Sequence, residues 1–211
     1  MTADELLERL ASLHPDARDA EYERLFSVVD PRKHSETPGE GMTAYVPSHV
    51  AYIARALVDA AVGTGDVFID LGSGLGKVTT FARLCSDATS VRGIEYQADL
   101  IARCPKVDGV TYVHGDAREV PLADGTVFFL FTPFVGELRR AVFERLHEVA
   151  RHHGITVCTV AFSVEEDWLV PRDPESLWFH CYDSRVEGVA SRTPRRTEFD
   201  SRLKRIAASE P

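Results

Sequence analysis

The period of the apolar positions changes along the chain. Near the start, Leu6, Leu7, Leu10 and Leu13 recur at helical spacing, and so do Tyr22, Leu25, Phe26 and Val29. This predicts helices over 4–13 and 17–29. The polar stretch from Asp30 to Met42 carries Pro31, Pro38, Gly39 and Gly41 and reads as a loop. A second helical pattern follows over 47–62, with Val50, Ile53, Ala54, Leu57 and Val58 on one face and Ser48 placed to cap its start.

From residue 66 onward, short apolar runs alternate with helical stretches. Val67, Phe68 and Ile69 end in Asp70 and a glycine cluster, and 76–86 then reads as a helix. Val91, Gly93 and Ile94 end in Glu95 before a helix over 97–104. Val110, Tyr112 and Val113 form a third strand, 127–131 (VFFLF) a fourth and 155–160 (ITVCTV) a fifth. Between the last two lies a long amphipathic helix, 136–151, with Leu138, Val142, Leu146 and Val149 on one side. Strands alternating with helices imply a mostly parallel, doubly wound α/β sheet, and uniformly apolar strands imply cover on both faces. Two further runs, 177–183 and 186–192, are expected to pair as a C-terminal antiparallel hairpin, which makes seven strands in all. The expected organisation is a helical extension and lid loop over 1–44, a Rossmann-like domain over 45–195 and a basic tail over 196–211.

The chain has 211 residues, 44% apolar and 27% charged, which suits one globular domain. Its net charge of -9 gives no support to nucleic-acid binding. A local basic cluster does stand near the end: Arg192, Arg195, Arg196, Arg202, Lys204 and Arg205. It reads as a solvated terminus rather than an anion site. The N-terminus lacks the basic and apolar regions of a signal peptide, and no apolar run would span a bilayer, so a cytoplasmic protein without membrane contact is expected. Cys85, Cys104, Cys158 and Cys181 form no C-x-x-C pair and no zinc-like set with histidine; packed, reduced thiols and no metal site are expected.

The chemistry concentrates in Asp70-Leu71-Gly72-Ser73-Gly74-Leu75-Gly76-Lys77, which follows a strand and opens a helix. Glycines there let the backbone turn sharply and approach a ligand with no Cβ in the way. A dinucleotide fingerprint starting at Gly72 would need a small residue at 77, where this chain has lysine, and Gly76 falls one step early. The spacing resembles the first motif of class I S-adenosylmethionine-dependent methyltransferases, D/E-x-G-x-G-x-G. The resemblance extends over roughly 45–192. The same loop, with Val78, is also similar to that of the non-SET lysine methyltransferases that modify nucleosomes, although their large flanking regions are missing here.

The resemblance implies S-adenosylmethionine as cofactor and assigns positions to it. Glu95, 25 residues after Asp70, stands where a carboxylate accepts the ribose hydroxyls. Tyr96 follows it. Asp116, within Gly115-Asp116-Ala117, stands where an acid faces the adenine amine and the next N–H meets a ring nitrogen; a turn or helix cap is its structural alternative. Asp70, Gly72, Ser73, Gly74 and Gly76 line the methionine end, with the helix N-terminus offering N–H groups to a carboxylate. Phe131-Thr132-Pro133-Phe134 falls where nucleobase amino methyltransferases carry D/N-P-P-Y/F, but threonine replaces the amide or acid and one proline is absent. Thr132 is expected near the cofactor and Thr132 and Phe134 near the reacting methyl. Tyr45 and Ser48 are expected to fold over the cofactor, and His34, Tyr45 and His49 are the candidate bases if the nucleophile arrives protonated. His147, His152 and His153 are expected to complement a helix C-terminus instead.

These expectations describe a methyltransferase acting on a small molecule or a protein side chain. The alternatives are a protein that binds the same cofactor without chemistry and, on weaker glycine spacing, a dinucleotide-dependent oxidoreductase. The acceptor would be selected by 1–48, the loop after Phe134, and 161–176, none of which carries a chemical motif.

Overall fold

A computed structural model describes residues 1–28, 39–195, 197 and 199–208. Two helices open the chain, α1 (Ala3–Ser12) and α2 (Pro15–Leu25). Thr2 and Glu5 form a reciprocal capping box that starts α1, and its apolar stripe Leu6, Leu7 and Leu10 is buried. Val29, placed in the second helix by its spacing, lies outside the described residues.

The third helix, α3, is Val50–Asp59, three residues shorter at its start than the apolar pattern suggests. Its N-cap is His49, not Ser48, and no side chain of the cap residue bonds the first turn. A residue far away in sequence does this instead: Asp19 of α2 accepts the Val50 N–H at 2.9 Å. The cap geometry thus comes from tertiary contact, which the local pattern does not contain.

The alternating region then runs β1 (Val67–Leu71), α4 (Lys77–Cys85), β2 (Ser90–Glu95), α5 (Ala98–Arg103), β3 (Val110–His114), β4 (Val127–Phe131), α6 (Gly136–Ala150), β5 (Thr156–Val160), β6 (Leu169–Pro171) and β7 (Phe179–Ser184). The strands form one seven-stranded sheet in the order β3-β2-β1-β4-β5-β7-β6. All neighbours are parallel except β7, which runs antiparallel to both β5 and β6. The chain winds outward from β1 in both directions, so a crevice opens between the carboxyl ends of β1 and β4, where α/β sheets bind ligands.

The antiparallel pair at the end is present but is built from other residues than expected. β7 takes 179–184, whereas 186–192 is turn and coil; the partner of β7 is the three-residue β6. Gly188 at φ +76 breaks the apparent strand. The backbone of 190–192 instead closes against Gly154, where a Cβ would stand 2.2 Å from the Arg192 nitrogen.

Two apolar layers cover the sheet. One joins α1, α2, α3 and α4 to Phe68, Phe129, Cys158 and Phe179; the other joins α6 to Ile69, Leu71, Phe128, Leu130 and Tyr182. All four cysteines are buried free thiols. The last helix, α7 (Asp200–Ala207), packs along α3 and α1 and buries Leu203 and Ile206, which corrects the expectation of a solvated tail. Much of its basic cluster is committed internally. Arg192 makes a buried two-bond ion pair with Asp66, at 2.6 and 2.8 Å, and also donates to the Ala60 and Ala61 carbonyls. Arg202 pairs with Asp4 and Arg205 with Glu8. Arg196 lies outside the described residues.

Candidate active site

The loop between β1 and α4 is held by the strand beside it. The Gly72 and Ser73 N–H groups both donate to the Ile94 carbonyl of β2 at 2.9 Å. Gly72 has φ +82, and a Cβ there would lie 2.5 Å from Pro133 Cβ. Gly74 has φ +54, and a Cβ there would fall 2.2 and 2.4 Å from ring carbons of Tyr45. The spacing of these glycines therefore follows from two facts: a left-handed backbone, and neighbours in contact with it.

Glu95, at the end of β2, is buried and fixes the same loop. Its Oε2 accepts the Gly74 N–H at 2.8 Å and its Oε1 accepts the Gln97 N–H at 2.9 Å. Burial pushes its pKa above the usual carboxylate range, and the backbone donors from Gln97, Gly74 and Tyr96 oppose that shift. Asp70, only 2% exposed, accepts from Thr79 Oγ1 at 3.1 Å. Burial pushes its pKa up to about 8; Thr79 pulls the other way, and the neighbouring Glu95 charge adds to the rise.

A cavity lies over this loop. Its floor includes Asp70, Gly72, Ser73 and Lys77, and one wall is Glu95, Tyr96 and Gln97. Gly115 and Ala117 close the far end, and Phe131, Pro133 and Phe134 form the opposite wall. The segment 42–48, Tyr45 and Ser48 included, forms a roof. About 70 Å³ is enclosed, well short of the ~300 Å³ at the low end for small-molecule sites. The Tyr45 ring lies against Gly74 within this lining.

Several expected residues stand elsewhere. Gly74 and Gly76 shape the loop from beneath and do not line the cavity. Asp116 turns away: both its oxygens pair with Arg118, and its Oδ1 accepts the Arg118 N–H at 2.8 Å, as expected of a turn cap. Thr132 is also engaged, its Oγ1 donating to the Val160 carbonyl at 3.0 Å and its own carbonyl accepting from Thr43 Oγ1 at 2.6 Å. It holds φ +44, a conformation costing a β-branched residue ~1–2 kcal/mol that these bonds sustain. His49 is not in the cavity; its Nδ1 lies 2.6 Å from Asp19 Oδ2 in a separate surface hollow with Pro15, Asp16 and Arg18. His34 lies outside the described residues. Of the candidate bases among the described residues, Tyr45 lines the cavity and His49 does not.

Ser73 lines the cavity as its place in the motif suggests, while Gln97 and Thr43 line it without carrying any motif. Gln97 and Ser73 each place a buried side-chain oxygen, Oε1 and Oγ, with no hydrogen-bond partner. Thr43 reaches the cavity because its N–H donates to the Pro133 carbonyl at 3.2 Å, while the Val135 N–H donates to Gly41 at 2.8 Å, a short antiparallel pairing between the roof and the loop after β4.

The sheet order, the single antiparallel strand and the position of the cavity are those of the class I, Rossmann-like methyltransferase fold. No protein-family model and no curated protein matches the sequence. Among solved structures, the chain is similar to an RNA methyltransferase from Salinibacter ruber in complex with S-adenosyl-L-homocysteine, with 24% identity over 72% of this chain and 100% of that one, at TM-score 0.50. A Pyrococcus horikoshii protein named as a candidate RNA methyltransferase aligns at 17% identity over 81% of this chain and 98% of that one, with TM-score 0.53. A candidate methyltransferase of Escherichia coli aligns at 10% identity over 68% and 90%, with TM-score 0.51. Similarity at these levels shows the fold. Among the described residues, no helix is long and apolar enough to cross a membrane.

Proposed function

We propose that this chain is an S-adenosylmethionine-dependent methyltransferase whose acceptor is a small molecule or a protein side chain. The observation that carries the proposal is the set of groups left around the cavity. Ser73 Oγ and Gln97 Oε1 are buried without partners, a condition that costs free energy unless a ligand supplies donors or acceptors. The buried Glu95 carboxylate keeps acceptor capacity beyond its backbone bonds from Gly74, Gln97 and Tyr96. This donor and acceptor set fits a ribose and its adjoining polar groups at Glu95, Gln97 and Ser73. Asp70 at the floor fits the cationic end of the same molecule.

When bound, S-adenosylmethionine supplies an electrophilic methyl group on a sulfonium. The protein's part is alignment and exclusion of water, which can remove several kcal/mol of barrier. Phe131, Pro133 and Phe134 give the apolar wall and Tyr45 the roof. A nucleobase amine finds poor support in this site. Threonine stands at 132 in place of an acid or amide, its hydroxyl proton is given to the Val160 carbonyl, and the Thr132 and Pro133 carbonyls each already accept one bond from Thr43, which leaves a weaker acceptor set for an amine than a carboxylate or amide would offer. That geometry, with the net charge of -9, is why the proposal departs from the RNA substrates in the names of two structural relatives.

Incubation with methyl-labelled S-adenosylmethionine and a cell extract tests the reaction. The expected result is label in a small-molecule or protein fraction that depends on the purified chain. Cofactor binding with no transfer into any fraction would instead support the non-catalytic binding alternative. Replacing Glu95 tests the ribose assignment: Glu95→Ala should weaken S-adenosylhomocysteine binding by ~1.5–3 kcal/mol, the scale for hydrogen bonds to a charged group. Calorimetry showing parental affinity in that variant would remove Glu95 from the cofactor's partners.

A further inference from the structure

The cavity is bounded above and below by two segments that leave it in different directions. The roof, 42–48, runs through His49 into α3; the glycine loop runs through Lys77 into α4. Both exits converge on one carboxylate that belongs to neither. Asp19, on α2 of the N-terminal extension, accepts the Val50 N–H at 2.9 Å and the Lys77 Nζ at 2.6 Å on Oδ1, while Oδ2 lies 2.6 Å from His49 Nδ1. Burial alone would raise the Asp19 pKa; Lys77, the Val50 N–H and His49 together hold it below the usual carboxylate range, so it is ionised at neutral pH.

The other contacts of α2 strengthen the junction on the floor side. Lys77 is buried, with its ammonium also 3.5 Å from Glu23 and 5.6 Å from the Tyr22 ring centroid. The Tyr22 hydroxyl donates to the Lys77 carbonyl at 3.1 Å. The roof's other end is fixed separately, through Thr43 and Gly41 on the loop after β4. The roof is thus fastened at two points, one on the substrate-side wall and one, through Asp19, on the helix that begins the floor. Between those two points Tyr45 of the roof rests on Gly74 of the floor loop, so a displacement of the roof changes the space over that loop.

We propose that Asp19 is a positioning residue that registers the roof 42–48 against the glycine loop, so that the N-terminal extension sets how firmly the cavity holds its ligand. A role for α2 in packing alone would need Tyr22 and the apolar stripe of α1, and would not need a half-buried carboxylate shared by three donors from two other helix starts. The ligand-holding half of this inference rests on the proposed cofactor; the mechanical half does not, and the test separates them.

Amide hydrogen exchange on the free protein reads the mechanical half. Asp19→Asn keeps an acceptor for Val50 but removes the charge opposite Lys77. It should speed exchange in both 42–50 and 72–78 by about tenfold or more, while β1 and β4 exchange as in the parent. Acceleration confined to α2, or uniform acceleration of the whole chain, overturns the proposal. Titration with S-adenosylhomocysteine reads the other half: Asp19→Asn should bind about tenfold more weakly, through faster dissociation, and parental affinity with parental dissociation overturns it. A parent that binds no S-adenosylhomocysteine defeats the cofactor assignment, and the exchange result then decides on Asp19 alone. Exchange in the unmodified chain gives a measurement free of any variant: added S-adenosylhomocysteine should protect α2 together with the roof, and protection of the roof without α2 counts against the coupling.

Discussion

Gly74→Val is expected to abolish detectable binding of S-adenosylhomocysteine, a loss of at least ~100-fold, while the chain still folds. Two independent obstacles combine. The backbone at φ +54 is unfavourable for a β-branched residue, and the new Cβ would stand 2.2 Å from a Tyr45 ring carbon. The ring cannot yield as a flexible chain end would, so the roof is displaced or the loop changes conformation. A shifted loop also withdraws the Gly74 N–H from Glu95. Because the loop lies at the sheet's carboxyl edge and the two apolar layers lie elsewhere, circular dichroism and thermal unfolding should show a folded protein with a modestly lower melting temperature. Retained binding within about tenfold of the parent would mean that the loop does not approach the ligand.

Asp70→Asn is expected to stabilise the protein at high pH and to leave it nearly unchanged near pH 4. The native carboxyl has its pKa pushed up to about 8 from an ordinary 3.8, chiefly by burial. The folded state therefore holds its proton at pH values where the unfolded chain has released it. Stability contributed by the neutral acid is fully present below pH ~4 and is lost as pH rises toward ~8. A shift of this size corresponds to something on the order of 5 kcal/mol, and the neutral amide avoids that cost. Chemical denaturation at pH 5 and pH 9 should show a variant advantage that grows with pH; a constant difference would mean that the Asp70 carboxyl is not desolvated in the native state. The variant should also bind the cofactor more weakly, since a cationic group near Asp70 is what would draw it back to the ionised form. An acid held at this energetic disadvantage is expected of a ligand site and not of a packing position.

The β1–β5 region is legible because its strands are short apolar-rich runs, the first three closing on Asp70, Glu95 or Gly115, and because α4 and α6 each carry an apolar stripe. The hairpin was misplaced because Val186 and Val189 mimic a strand, whereas the true partner, Leu169–Pro171, is three residues long and carries a proline tolerated only at an edge. At the site, Asp70, Gly72, Ser73, Glu95 and the roof residues Tyr45 and Ser48 line the cavity as motif and order suggest, whereas Gly74 and Gly76 do not. Asp116 and His49 do not line it either. A polar residue ahead of a helix looks the same whether it meets a ligand or a neighbour, and here Arg118 and Asp19 are the neighbours. Asp19 itself gave no signal, because its partners stand 30 to 58 positions away.

The central claim is the identity of the cofactor, and calorimetric titration of the purified chain with S-adenosylhomocysteine, and separately with NAD, tests it most directly. S-adenosylhomocysteine is expected to bind with a dissociation constant of about micromolar, and NAD to give no heat. Binding of NAD in its place, or of neither ligand at about millimolar concentration, would contradict it.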